Sequence, residues 1–177
     1  MIITATPSYK LPTPGSIQGV LAEVVDLGIV TTEWKGEKRQ VHRCMLTFEI
    51  NETIERDGHD QRMIVSRTFT ASLNEKAALR HFLEGWRGKT FSDEELAGFD
   101  LEKLVGINAI LSLVHNTSDN KTYCNIDSAA ALLKGMEKLS LSDDYLPYAE
   151  RLAKRNAVAA SATASAGHVD DDDPVPF

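Results

Sequence analysis

VHRCMLTFEI, residues 41–50, is the stretch that decides the fold. Apolar and polar side chains alternate along it with a period of two, which is typical of a β-strand with one buried face. The inward face is predicted to hold Cys44, Leu46, Phe48 and Ile50. The outward face is predicted to hold Arg43, Met45, Thr47 and Glu49. We therefore expect a half-buried strand here and assign the rest of the chain outward from it.

The flanking segments predict two more strands. Residues 17–30 are rich in Val, Ile and Leu, a composition that favours a strand over a helix. Residues 31–39 are polar and predict a loop between the first two strands. On the other side, Asp57-Gly58 is a hairpin turn signal, and residues 62–73 follow it as the third strand.

The hydrophobic period then changes to that of a helix. Residues 77–86 carry apolar side chains at helical spacing, with Asn74 placed as the N-cap and Gly88 at the end. Ser92, followed at once by three acidic residues, predicts a second, shorter helical segment.

Two final strands complete the predicted fold. Residues 107–115 and 121–128 flank a polar turn. Three strands, a helical insert and two strands is the order of the OB-fold, a small Greek-key barrel. We therefore predict an all-β protein with a helical insert, as a five-stranded OB-fold barrel. An open β-sandwich with a helical excursion is the alternative.

The chain is predicted to divide into a barrel domain at residues 1–133 and a flexible arm at residues 134–177. In the arm, Ser142-Asp143-Asp144 could start a short helix that runs through Arg155. Residues 157–167 are almost entirely Ala, Ser and Thr, which cannot bury enough apolar surface to order a chain. We therefore expect a disordered C-terminal tail.

Charge limits the kind of nucleic-acid site that the protein can have. The 177 residues carry a formal net charge of −7, and 42% of them are hydrophobic, enough for one core. From Lys134 onward there are eight acidic and five basic residues, so the body is mildly acidic even without the arm. A nucleic-acid groove must therefore be a local positive stripe.

Several classes of protein do not fit the sequence. No apolar run is long enough to span a bilayer, and no signal segment precedes the first strand, so we expect a cytoplasmic protein without a membrane partner. The nucleotide-binding and metalloprotease motifs are absent, and the five histidines do not pair with Cys44 or Cys124 at metal-site spacing. We expect a protein that is not an enzyme and that uses no cofactor or metal, with both cysteines as free thiols.

The last eight residues have the composition of a docking peptide. An acidic run is usually a solvated end, but that interpretation leaves an exposed terminal phenylalanine unexplained. The aromatic ring could fill an apolar pocket, the carboxylate could pair with a cation at its rim, and the acidic residues could steer the approach. The candidate partner-binding residues are Asp170, Asp171, Asp172, Asp173, Pro176 and Phe177.

This terminus resembles the acidic tip of bacterial and phage single-stranded DNA-binding proteins, with valine in place of isoleucine and an additional proline. Residues 14–132 resemble the OB-fold single-stranded DNA-binding proteins of phages and mobile elements. The stretches that carry this resemblance are residues 24–28, 82–88, 94–101, 114–116 and 121–123. The resemblance implies binding of displaced single strands during phage DNA replication or recombination, in the cytoplasm of a host cell. It also implies recruitment of replication and recombination proteins by the tip.

The DNA face is predicted from physical requirements, because single strands bind where cations follow the phosphates and flat rings stack on bases. In an OB-fold, the second and third strands and two loops form that surface. Phe69 shares parity with Val65, which favours a core position, and Trp34 could equally anchor its loop. The candidate DNA-binding residues are Trp34, Lys35, Lys38, Arg39, Arg43, Arg62, Arg67, Phe69, Lys121 and Tyr123.

Two other functions fit the sequence. The barrel could be an adaptor that binds protein, since the body is acidic and aromatic residues make up only 7% of the chain. It could also bind RNA, because nothing in the sequence separates RNA from DNA. The unpaired edge strands of an open barrel make a homodimer plausible.

Overall fold

The computed structural model describes residues 10–165, with side chains through residue 160. Three consecutive strands are followed by short helical segments, two further strands and a longer helix. The strands are β1 (Gly15–Trp34), β2 (Glu37–Arg56), β3 (His59–Thr70), β4 (Asn108–Ser118) and β5 (Lys121–Ala130). The helices are α1 (Ala78–Arg87), α2 (Asp93–Ala97), a 3-10 turn (Leu101–Leu104) and α3 (Tyr148–Ser165).

The five strands form one antiparallel sheet in the order β3-β2-β1-β4-β5. The sheet curls into a nearly closed barrel because β3 and β5, at its two edges, approach each other. Arg67 on β3 bridges this seam by donating to the backbone carbonyls of Ile126, at 2.9 Å, and Asp127 on β5. This strand order, with helices between β3 and β4, confirms the predicted OB-like all-β fold and not the open sandwich.

The core forms where α1 closes one side of the barrel. Phe48, at the centre of β2, is fully buried and contacts two aromatic rings of the helix. Its ring centroid lies 6.4 Å from that of Phe82 and 5.4 Å from that of Trp86, both in edge-to-face geometry. The indole N–H of Trp86 donates to the backbone carbonyl of Asn108 at 2.9 Å, so the helix is also fixed to β4.

The first hairpin is tighter than the sequence predicted. Residues 31–39 do not form a loop, because β1 and β2 continue to Trp34 and Glu37 and are joined by Lys35-Gly36 alone. Both turn residues have positive φ, 50° and 81°, as a two-residue turn of this hand requires. The predicted Asp57-Gly58 turn has the same geometry and is confirmed.

Helix starts were predicted with mixed success. Ser92 forms a full capping box with Glu95, as predicted. Asn74 does not cap α1, because the helix begins later, after Ala77, which provides no side-chain cap. The backbone carbonyl of Asn74 instead accepts from Ala77 N–H at 2.8 Å, in a turn that precedes the helix.

The barrel unit extends further along the chain than predicted. The chain divides into two compact units between Asp143 and Asp144, so residues 134–143 belong with the barrel and not with the arm. In the second unit, α3 starts at Tyr148 and continues to Ser165, past Arg155 and through most of the segment expected to be disordered. The docking tip, residues 170–177, lies outside the described residues.

Three carboxylates that accept backbone N–H bonds make stability depend on pH. Glu52 accepts from Thr13, Glu84 from Phe91 and Glu95 from Ser92, and these bonds are the first cause of a lowered pKa at each carboxyl group. A carboxyl whose pKa is lowered in the folded state stabilises the fold above its unfolded pKa and loses that contribution as the pH falls.

We therefore expect the Tm to be level near neutral pH and to fall below about pH 4–5, where carboxyl groups begin to protonate. Thermal unfolding followed by circular dichroism from pH 7 to pH 3 measures this. A Tm that rises with acidification would contradict the assignment.

Candidate nucleic-acid interface

A two-stranded ribbon, residues 28–43, extends from the barrel. In the described part of the chain, the register of β4 against β1 stops at Val20, and that of β3 against β2 stops at Arg43. Beyond these points the strand pairing continues between β1 and β2, as far as the Trp34–Glu37 pair, and at the base of the ribbon the His42 carbonyl still accepts from Ala71 N–H. The ribbon therefore offers both of its faces to a ligand.

Strand parity separates the predicted site residues between these faces. Arg43 pairs with Gly28 and Trp34 pairs with Glu37, and Arg39 has the same parity along the strands. The three side chains therefore lie on one face of the ribbon, and this face continues the outer surface of the barrel. Lys38 lies on the opposite face, and Lys35 lies in the turn. Trp34, Arg39 and Arg43 therefore share one face along the ribbon, whereas Lys35 and Lys38, predicted for the same surface, do not lie on it.

Trp34 is poorly explained by packing. Its side chain is 64% exposed at the end of the ribbon, and the Lys35 ammonium lies 6.0 Å from the ring centroid. An exposed indole beside a cation is the combination that stacks on a base while holding the adjacent phosphate. The alternative of loop anchoring is not supported, because the ring is mostly in solvent.

The ribbon is the basic part of a mildly acidic body. It contains four basic residues and two glutamates. Glu37 pairs with Arg39 at 3.0 Å, an exposed ion pair that is worth little in water and that a phosphate can replace. The local excess of positive charge is modest, and binding through its phosphate contacts should weaken as the salt concentration rises.

Two predicted DNA contacts have to be withdrawn. Phe69 is only 3% exposed and packs against the ring of Phe82, with centroids 5.1 Å apart, so it belongs to the core. Arg67 closes the barrel seam, and its guanidinium lies 4.9 Å from the ring centroid of Phe69. Neither side chain is available to a strand that lies on the outer surface.

The structure separates a second group of candidates from the ribbon. Lys121 and Tyr123 lie on the β4–β5 hairpin, and Tyr123 is 48% exposed, as predicted. Because β4 runs antiparallel to β1, this hairpin lies at the opposite end of the sheet from Trp34. Its turn also contains Asp119, which offsets the charge of Lys121. The two groups do not form one continuous patch.

A polar segment that was not predicted from the sequence crosses the outside of the barrel. Residues 136–142, here called the strap, bond to side chains on four strands. Asn108 on β4 brackets the backbone of Leu139: its amide donates to the carbonyl at 2.9 Å, and its oxygen accepts from the N–H at 2.8 Å. Gln18 on β1 donates to the carbonyl of Glu137 at 2.7 Å.

The strap continues across the other two strands. On β3, Arg62, a predicted DNA contact, donates to the carbonyl of Ser140 at 2.6 Å. On β2, Glu49 accepts from the N–H of Ser142 at 2.9 Å and from its hydroxyl. Glu49 is therefore buried, at 2% exposure, although parity predicted that it would face solvent.

One sequence signal could have indicated the strap. Leu139 and Leu141 alternate with Ser140 and Ser142, which is the period-two pattern of an extended segment against a surface. Beside the strap is a cleft of about 550 Å³. It is lined by Gln18, Asn51, Arg62, Met136, Glu137, Lys138, Leu139 and Ser140.

The cysteines and acidic side chains do not form another kind of site in the described residues. Cys44 and Cys124 are free thiols, and burial raises the pKa of both. Between residues 10 and 160, no group of three or more His, Cys, Asp or Glu side chains could hold a metal ion. None of the helices in the described chain has the length and apolar character needed to cross a membrane.

A scan against models of known protein families found no match to this chain, and a search of curated proteins found none either.

Proposed function

We propose that the protein binds single-stranded DNA without strong sequence preference and recruits partner proteins through its acidic C-terminal tip. The observation that carries this proposal is the ribbon, on which an exposed tryptophan shares one face with two arginines. Stacking on Trp34 would hold a base, and Arg39 and Arg43 would follow the phosphates.

The same geometry supports binding without sequence selection. Every base has a flat face, so stacking tolerates any sequence, and phosphate contacts carry no sequence information. Residues 28–43 form a narrow ribbon and not a deep pocket that could enclose the edge of one base. Such a protein coats displaced strands, in keeping with a role in phage DNA replication or recombination.

The tip supplies the second half of the proposal. Asp170 to Asp173 would steer the chain end toward a basic partner, and Phe177 would fill an apolar pocket on it. Pro176 limits the freedom of the chain before the ring, which lowers the entropic cost of docking. The partners would be proteins that act on the coated strand during replication or recombination.

A protein-binding adaptor is the second candidate, favoured by Ile29. This side chain is 70% exposed on the ribbon face opposite Trp34. Two exposed apolar side chains on one ribbon fit a protein partner as well as a nucleic acid. An RNA-binding protein would use the same stacking and phosphate contacts.

Tryptophan fluorescence tests the proposal, because the chain has two tryptophans and only Trp34 is exposed. We expect oligo-dT to quench the emission at low salt and less so at high salt, as phosphate contacts release counterions. Trp34→Phe should keep most of the affinity, measured by anisotropy of a labelled strand, while removing the quenching. The remaining Trp86 is 3% exposed and serves as an internal control.

Oligo-U and an unrelated acidic protein are the comparison ligands. No salt-sensitive binding of either nucleic acid would leave only the adaptor. Tighter binding of oligo-U than of oligo-dT would favour the RNA alternative.

A further inference from the structure

Three side-chain donors on different strands converge on the strap. Gln18 of β1, Arg62 of β3 and Asn108 of β4 each direct an N–H group at a strap carbonyl, at 2.6–2.9 Å. The oxygens that they hold belong to Glu137, Leu139 and Ser140, close together along the chain. The outside of the barrel therefore has a row of side-chain N–H donors, each of which is hydrogen-bonded to a carbonyl oxygen of the strap.

These donors belong to the types that hold nucleic-acid backbones. Arginine, glutamine and asparagine side chains are common partners of phosphate oxygens in such complexes. Arg62, with a side chain that is 27% exposed, supplies positive charge, and Lys138 and Asn51 line the adjoining cleft of about 550 Å³. The strap carbonyls thus occupy positions that phosphate oxygens could also take.

The strap is held by hydrogen bonds more than by apolar burial. Met136, Glu137, Lys138 and Ser140 are exposed, and Leu139 and Leu141 are only partly buried. A hydrogen bond exchanged for one to water contributes about 0.5–1.5 kcal/mol net, so a segment held in this way can open locally without unfolding the barrel.

Glu49 is the charged group that opposes phosphate at this place. It lies 3.9 Å from Arg62 and accepts two hydrogen bonds from Ser142. When the strap leaves, this carboxylate loses those donors and stays beside the cation that would meet a phosphate. Glu49 therefore opposes the replacement of the strap by a phosphate, and the strap competes with the DNA strand for this place.

We propose that the groove under the strap is a second phosphodiester-binding subsite, which the strap occupies in the free protein and leaves when a single strand binds. The subsite lies on the same outer surface of the sheet as Trp34, at the opposite end of β2 from the ribbon. A strand that starts on the ribbon and is long enough to reach Arg62 displaces the strap. This inference rests on the proposed function, because it requires a strand on the ribbon.

Limited trypsin digestion of the full chain, mapped by mass spectrometry, tests the subsite. Lys138 is a cleavage site inside the strap, between two residues whose backbone is bonded to the barrel, whereas Lys35, Lys38 and Arg39 are cleavage sites on the ribbon. We expect a long oligo-dT to protect the ribbon sites and to accelerate cleavage after Lys138 severalfold. A strand too short to reach beyond the ribbon should protect the ribbon alone.

The outcomes separate the two proposals. Ribbon protection with unchanged or slower cleavage after Lys138 at every strand length would overturn the subsite and leave the proposed function intact. No protection anywhere, together with no binding, would overturn the proposed function and the subsite with it.

A pair of variants gives an independent measurement. Asn108→Ala removes both hydrogen bonds that Asn108 makes to the backbone of Leu139 and should accelerate cleavage after Lys138 without DNA. Asn125→Ala, at an exposed asparagine on β5, should not.

The affinity for DNA is measured in the Asn108→Ala background. There, Arg62→Ala should weaken oligo-dT binding about 3- to 10-fold and lower the salt slope by about 0.7, as expected for one lost phosphate contact to a single strand. Additive effects of the two substitutions on affinity would contradict competition by the strap.

Discussion

Trp34→Ala is expected to weaken the binding of oligo-dT by about 1–3 kcal/mol, roughly a 5- to 150-fold rise in Kd, which is the range for one lost base stack. The side chain is 64% exposed, so its removal leaves no cavity and the barrel should keep its stability. The Lys35 cation also loses the ring beside it, at 6.0 Å from the centroid, although an exposed contact of this kind contributes little to the folded state.

Anisotropy of a labelled strand measures the affinity, and thermal unfolding checks the fold. Tyr123→Ala is the matched control, because Tyr123 is also an exposed aromatic residue but lies at the other end of the sheet. It should change the Kd by less than about 2-fold if the ribbon carries the main stack. A larger effect at Tyr123 than at Trp34 would move the primary site to the β4–β5 hairpin.

The sequence predicted the features that depend on neighbouring residues. Alternation along residues 41–50 placed Leu46, Phe48 and Ile50 in the core, where all three are fully buried. The Asp57-Gly58 turn and the Ser92 cap were also predicted correctly, because each is specified by two to four adjacent residues. The order of these elements was enough to indicate an OB-like barrel.

Features that depend on distant parts of the chain could not be obtained in this way. Alternation predicted that Glu49 would face solvent, but Ser142, 93 residues later in the chain, returns to cover it. No local pattern at Glu49 carries that information. Because of the strap, both the domain boundary and the surroundings of Arg62 differ from those predicted.

Parity along β3 also indicates where Arg67 lies. Val65, Arg67 and Phe69 share one face of β3, and the core interpretation of Phe69 extends to all three. The charge of Arg67, taken alone, favours a DNA contact. On this face, however, a long cationic side chain can reach only the neighbouring edge strand and the rings of the core.

Because Arg67 lies at the barrel seam, its removal is expected to have a large effect on stability. Arg67→Ala should lower the free energy of unfolding by about 3–5 kcal/mol, because it removes charge-assisted bonds to two β5 carbonyls together with its contacts to two rings. Thermal and urea unfolding measure the change. Arg67→Lys should restore only part of it, since an ammonium group lacks the fork that spans both carbonyls.

Arg39→Ala is the reciprocal control. It should leave the unfolding free energy within about 0.5 kcal/mol of the starting protein, since its ion pair with Glu37 is exposed, and it should weaken oligo-dT binding. Arg67→Ala, assayed at a temperature where it remains folded, should bind oligo-dT as the unchanged protein does. If instead Arg67→Ala stayed fully stable and lost affinity, Arg67 would return to the DNA-binding surface and the seam between β3 and β5 would need another explanation.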